Sequence, residues 1–154
     1  MKKSLIAFSM ILVIAPSLAA TMCSPENCPA GSKVTTFADR KNPFFACPSR
    51  EISDYIGTVL GLLALQGSMG VMPNLSPETG EPEFTGETES MVSDLRKLAH
   101  VHTFDEAASQ CKPGRSGLHA TVLNNETGAI SLWVVQDHTK KSFWAPQSAF
   151  NHLK

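Results

Sequence analysis

The chain has 154 residues, 42% of them hydrophobic and 18% charged, with 13 Lys+Arg against 14 Asp+Glu. That balance, a net charge of −1, supplies no basic field for nucleic acid or anionic lipid. The length suits one domain with a modest core.

Residues 1–20 read as an export signal rather than as part of the fold. Lys2 and Lys3 form a short positive start, Ile6 to Ile14 is apolar, and Pro16-Ser-Leu-Ala-Ala20 supplies the small residues that signal peptidase reads. Cleavage is predicted after Ala20. An uncleaved anchor is the rival, but the apolar run is short and ends in Pro16. Acylation at Cys23 wants a small residue before it, and Met22 stands there. Without Lys2 and Lys3, 11 Lys+Arg face 14 Asp+Glu, a balance of −3. The compact signal looks bacterial, which predicts a periplasmic or secreted protein of the cell envelope. In a eukaryote, Asn125-Glu-Thr127 would be a glycosylation acceptor.

Cys23, Cys28, Cys47 and Cys111 are an even set in an exported chain, so disulfides are the default expectation. Three pairings are open. Long closed loops remove more unfolded-state entropy, which favours Cys28–Cys47 with Cys23–Cys111.

Residues 21–73 are expected to form a Cys-rich knuckle and an apolar helix. Pro25, Pro29, Gly31, Asn42 and Pro43 punctuate the knuckle with turns. Lys33 to Phe37 has strand character, with Phe44 to Ala46 as its expected partner. Ser49 is the expected N-cap of the helix, and Gly67 its stop. Ile52, Ile56, Val59, Leu60 and Leu63 share one helical face. No charged residue lies between Tyr55 and Pro73, and Gly57-Thr-Val-Leu-Gly61 has the GxxxG spacing of close helix pairs. A buried core helix is the first reading; membrane contact through Ile56 to Met72 is the second.

Residues 74–89 read as an acidic Pro/Gly loop carrying Glu78, Glu81, Glu83, Glu87 and Glu89. Residues 90–154 hold the remaining helices and a C-terminal β-meander. A helix is predicted from about Glu87 to Ala99, with Met91, Val92, Leu95, Leu98 and Ala99 as its apolar face. Thr103-Phe-Asp-Glu106 is a capping-box pattern that starts a short helix to Cys111. Leu118 to Leu123, Ile130 to Val135 and Ser142 to Ala145 then predict a three-stranded antiparallel meander. Its expected turns are Asn124 to Gly128 and Asp137 to Lys140, and its packing mass is Trp133, Phe143 and Trp144. Pro146 opens an expected final helix to Leu153. There are no internal repeats.

The chemistry-bearing residues form no catalytic signature. There is no Gly-x-Ser-x-Gly elbow, and Cys23 and Cys28 are too far apart for a C-x-x-C motif. Glu106, Asp105 and a histidine are allowed by composition as an acid/base set but supported by no motif. His100, His102, His119 and His138 are the candidate metal ligands of an alternative reading, a metal-binding protein or small metal-dependent hydrolase. No cofactor is called for. Lys140-Lys141 beside Phe143 and Trp144 is the one basic-aromatic cluster, and it reads as a turn before a core strand.

Two resemblances add to this. Cys28-Pro-Ala-Gly31, a strand, then Phe44-Phe-Ala-Cys47-Pro resembles part of the zinc-ribbon repeat of bacterial type I topoisomerases. Here the first cysteine pair is spaced by four residues rather than two, and a fourth ligand would have to be Cys111 or a histidine. The order signal peptide, Cys23-x4-Cys28-x2-Gly31, Cys47, then Ile52-Ser-Asp-Tyr55-Ile56 is similar to the start of small exported proteins of conjugative DNA transfer, the TrbM/KikA group. That resemblance covers about thirty-five residues. It implies a periplasmic accessory of a type IV secretion apparatus whose Cys23, Cys28 and Cys47 are structural.

The expected fold is therefore α+β: a disulfide-tied N-terminal knuckle, one long apolar helix, two short helices and a C-terminal meander. The expected function is a non-enzymatic, exported interaction protein with an envelope protein as partner.

Overall fold

The computed structural model describes residues 21–40, 42–78 and 80–153. The expected export signal lies outside them. The described chain is mixed helix and antiparallel sheet. Its order is β1 (Thr21–Met22), β2 (Lys33–Thr36), β3 (Phe45–Ala46), α1 (Arg50–Ser68), β4 (Asn74–Leu75), β5 (Pro82–Glu83), α2 (Gly86–Leu98) and α3 (Phe104–Ser109). Then come β6 (Lys112–Pro113), β7 (His119–Asn124), β8 (Ser131–Gln136), β9 (Ser142–Pro146) and, after a short 3-10 turn, β10 (Phe150–His152).

The main sheet has six strands in the order β1-β10-β2-β7-β8-β9. The expected meander is its β7-β8-β9 half, so the three-stranded count falls short. The missing strand beside β2 is β10, where the sequence predicts a helix from Pro146 to Leu153. Burial decides this. Phe150 is fully buried, its ring 6.3 Å from that of Phe44 and 6.4 Å from that of Phe143. A strand seats it there while Asn151 and His152 pair with Thr35 and Val34 of β2. Fully burying a side chain of that size is worth about 2–3 kcal/mol, more than helix propensity offers in so short a segment.

The two-stranded knuckle is also corrected. Both edges of β2 are occupied, by β10 and β7. Phe45 and Ala46 instead pair with Pro113 and Lys112 of β6. Carried one step further, that register sets Cys47 opposite Cys111, with Cα atoms 4.4 Å apart, and the two form a cross-strand disulfide. The other bridge is Cys23–Cys28. The pairing favoured by loop length is thus overturned. A turn folds the first two cysteines together: the Cys28 N–H donates to the Ser24 carbonyl at 2.9 Å, and the Ser24 N–H to Asn27 Oδ1 at 2.6 Å.

α1 starts where its cap residue dictates, with Ser49 Oγ accepting from the Ile52 N–H. It passes Gly67 and ends at Ser68; Gly70, not Gly67, takes the left-handed turn. Its first half is buried through Ile52, Ser53, Tyr55, Ile56 and Val59, while Gly61, Ala64, Leu65 and Ser68 are exposed. Among the described residues no helix is long and apolar enough to cross a membrane. Within the acidic loop, β4 and β5 form a hairpin that the sequence reading left out. On α2 only Val92 is fully buried, with Leu95 partly so; Met91 and Leu98 of the predicted apolar face lie in solvent.

Two apolar clusters result. One fills the sheet's inner face with Val34, Val122, Leu132, Val134, Ala145 and Phe150. The other joins α1, α2 and α3 through Tyr55, Ile56, Val59, Val92 and Ala107. Each contains disulfide sulfur, Cys23 and Cys28 in the first, Cys47 in the second.

Candidate functional site

The cysteines and histidines come first, since the sequence singled them out. All four cysteines are in disulfides, so none is a free thiol. The histidines are dispersed. His100 does not lie in an extended segment: it takes a left-handed conformation (φ 54°) just past α2, where its N–H donates to the Lys97 carbonyl. The His102 N–H donates to Glu106 Oε2 at 2.7 Å, which ties the entry to α3. His119 projects to solvent from β7, and His138 from the β8–β9 turn. Among the described residues no three His, Cys, Asp or Glu side chains group in a way that would hold a metal ion.

The buried polar groups are structural. Ser53 of α1 and Ser131 of β8 share a hydrogen bond of 2.8 Å, both nearly inaccessible. Asp54 accepts from Arg50 Nε at 3.3 Å, and its other oxygen has no partner among the described residues. Arg50 also reaches Glu126. The Arg96 guanidinium lies over the Tyr55 ring, 5.8 Å from its centroid, and Nε donates to the phenolic oxygen at 3.2 Å. Burial pushes the Tyr55 hydroxyl above its ordinary pKa, and the Arg96 bond only partly opposes that.

Two concavities among the described residues share Phe44. The first, about 300 Å³, runs between the exposed flank of α1 and the end of the sheet. Gly57, Leu60, Gly61 and Ala64 form one wall; Met22, Phe37 and Pro146 stand opposite. The two glycines of the GxxxG spacing differ. A Cβ on Gly57 would meet Pro146 Cγ at 2.8 Å, so that glycine serves contact within the chain. Gly61 faces open space. On the last turn of α1 and in the segment that follows it, Leu65, Met69, Val71, Met72 and Leu75 are exposed, Met72 to 85%.

The second concavity, about 770 Å³, lies beside the Cys47–Cys111 bridge. Phe44, Leu118 and Phe143 give it an apolar floor, and Lys112, Arg115 and Lys141 stand around it. The sequence analysis names one half of this cluster, Lys140-Lys141 beside Phe143, as a turn before a core strand and does not join it to Lys112 and Arg115. Its signal was present, since Lys112-Pro-Gly-Arg115 and Lys140-Lys141 are basic runs in a net-negative chain. Only the β3–β6 pairing and the β8–β9 turn bring them together.

The comparisons with known proteins find no matching family model, no matching curated protein and no matching solved structure. The site therefore rests on its own geometry.

Proposed function

We propose that this protein is a non-enzymatic, exported interaction module of the bacterial envelope that recruits a partner through the α1 flank. The observation that carries this is the second half of α1. The second half of α1 keeps only Leu60, Leu62 and Leu63 partly packed on the core and exposes Leu65, and the segment just past its end exposes Met69 and Met72. Such patches mark binding sites, and methionine suits a surface that adapts to a partner's shape. Two disulfides fit an oxidising compartment, as does the signal-like start of the sequence. The resemblance to the TrbM/KikA group makes a type IV secretion apparatus the place to look.

The occupant we assign is an apolar segment of an envelope protein. The test is site-specific photo-crosslinking from position 69 in intact cells. A single crosslinked species, lost in Leu65→Glu/Met72→Glu with folding unchanged, supports the reading. A protein that crosslinks to nothing from this face overturns it. The second reading is contact with the bilayer surface from within the 56–72 stretch, through its exposed Leu65, Met69 and Met72. Flotation with liposomes separates the two, because a protein bound to the bilayer surface rises with the vesicles.

A further inference from the structure

The cleft beside the Cys47–Cys111 bridge is a different surface from the α1 flank, and its chemistry is more specific. Lys112, Arg115 and Lys141 form no ion pair with any described carboxylate, and no Asp or Glu lines the cleft. Three unneutralised cations round one concavity repel one another and attract an anion. Between them the floor of Phe44, Leu118 and Phe143 suits an apolar side chain.

One wall adds a direction. β9 is the last strand of the sheet. Trp144 exchanges both of its backbone hydrogen bonds with Cys47, at 2.8 and 2.9 Å, so its N–H and C=O point away from β8. Backbone direction alternates along a strand, so Ser142 points its own pair the same way. The chain that would cover Ser142 turns off at Pro48 to enter α1. Ser142 therefore offers a donor and an acceptor at the cleft, which it lines.

We infer that this cleft binds an acidic peptide in extended conformation. The peptide lies along β9 at Ser142, sets carboxylates on Lys112, Arg115 and Lys141, and lowers an apolar side chain onto the floor. Strand addition supplies the backbone contacts, and the cations supply the selection for charge. A lipid headgroup has no peptide groups to offer the strand edge, which is why the peptide is the better fit. The site is independent of the α1 flank and stands or falls without it.

The test is fluorescence polarisation of the full, disulfide-bonded protein with a labelled hexapeptide, Glu-Val-Asp-Val-Glu-Val. We expect saturable binding that weakens with salt. It should weaken about tenfold or more in Lys112→Gln/Arg115→Gln/Lys141→Gln. All three side chains are exposed, so the variant should fold, and circular dichroism checks this. N-methylation of the peptide's central bonds should weaken binding several-fold without touching the protein. Any of four results overturns the inference: no binding; equal binding of a peptide with lysine in place of the acids; equal binding by the triple variant; or full competition by inorganic phosphate or phosphatidylglycerol vesicles with no effect of N-methylation.

Discussion

At the scale of single residues, the informative groups are polar and buried. Ser53 and Ser131 satisfy each other across the α1–β8 contact. Ser53→Ala should cost about 1–3 kcal/mol, because it leaves the other hydroxyl buried and unpaired. Adding Ser131→Ala should recover most of that loss, and urea melts of the four proteins of the cycle measure it. Tyr55 is the chain's sole tyrosine, so its phenolate absorbance can be read without overlap from another. Burial raises its pKa, with Arg96 opposing. The stability this group contributes is therefore complete below the ordinary value of about 10 and is lost as pH rises toward the raised one. We expect the absorbance step above that ordinary value, moving back to it in urea. The sequence places Ile52, Ile56 and Val59 on the buried face of α1 but is silent on Tyr55 and on the serines. An i-to-j hydroxyl pair 78 residues apart leaves no local trace.

At the scale of elements, helix starts and the hairpin pairs of the meander were legible, and distant strand partners were not. Ser49 and Thr103 cap α1 and α3 as their spacing predicts, because a cap is a bond between residues three apart. The α2 boundaries fall within a residue of the expected ones. Strand pairs are made between distant residues, and two- or three-residue strands such as β1, β3, β6 and β10 carry no period to detect. The tryptophans show the same limit. Trp133 and Trp144 do not form the inner packing mass expected of them; they stack on the outer face, because Leu132, Val134 and Ala145 take the inner one. The glycine spacing on α1 divides likewise. Gly57→Ala should destabilise by about 1–3 kcal/mol through its clash with Pro146. Gly61→Ala should stabilise by up to about 1 kcal/mol, since it meets nothing and favours helix. Thermal melts check both; equal effects would mean that Pro146 does not hold Gly57.

At the scale of the whole molecule, the two bridges act on different parts. Cys23 and Cys28 are five positions apart, Cys47 and Cys111 sixty-four. In the chain-entropy model the first is worth about 2 kcal/mol and the second about 4. Cys47→Ala/Cys111→Ala should therefore lower Tm more than Cys23→Ala/Cys28→Ala does. Hydrogen exchange should locate the losses differently. The first variant loosens β3, β6 and the approach to α3; the second loosens the β1 edge. The basic cleft belongs to this scale too. It needs the β3–β6 pair, the long-range bridge and the β9 edge together, so no window of sequence contains it.

The tryptophan stack has a consequence for observation. Its rings are 5.9 Å apart and 9° from parallel, and they are the only two indoles in the chain. Indoles this close couple electronically, and we expect an exciton signal in far-ultraviolet circular dichroism that neither ring produces alone. That signal reports the stacking of Trp133 on Trp144, and so the β8–β9 pairing that holds them. If it fades on heating before the helical signal does, the outer strand peels away first; if both vanish together, sheet and helices melt as one.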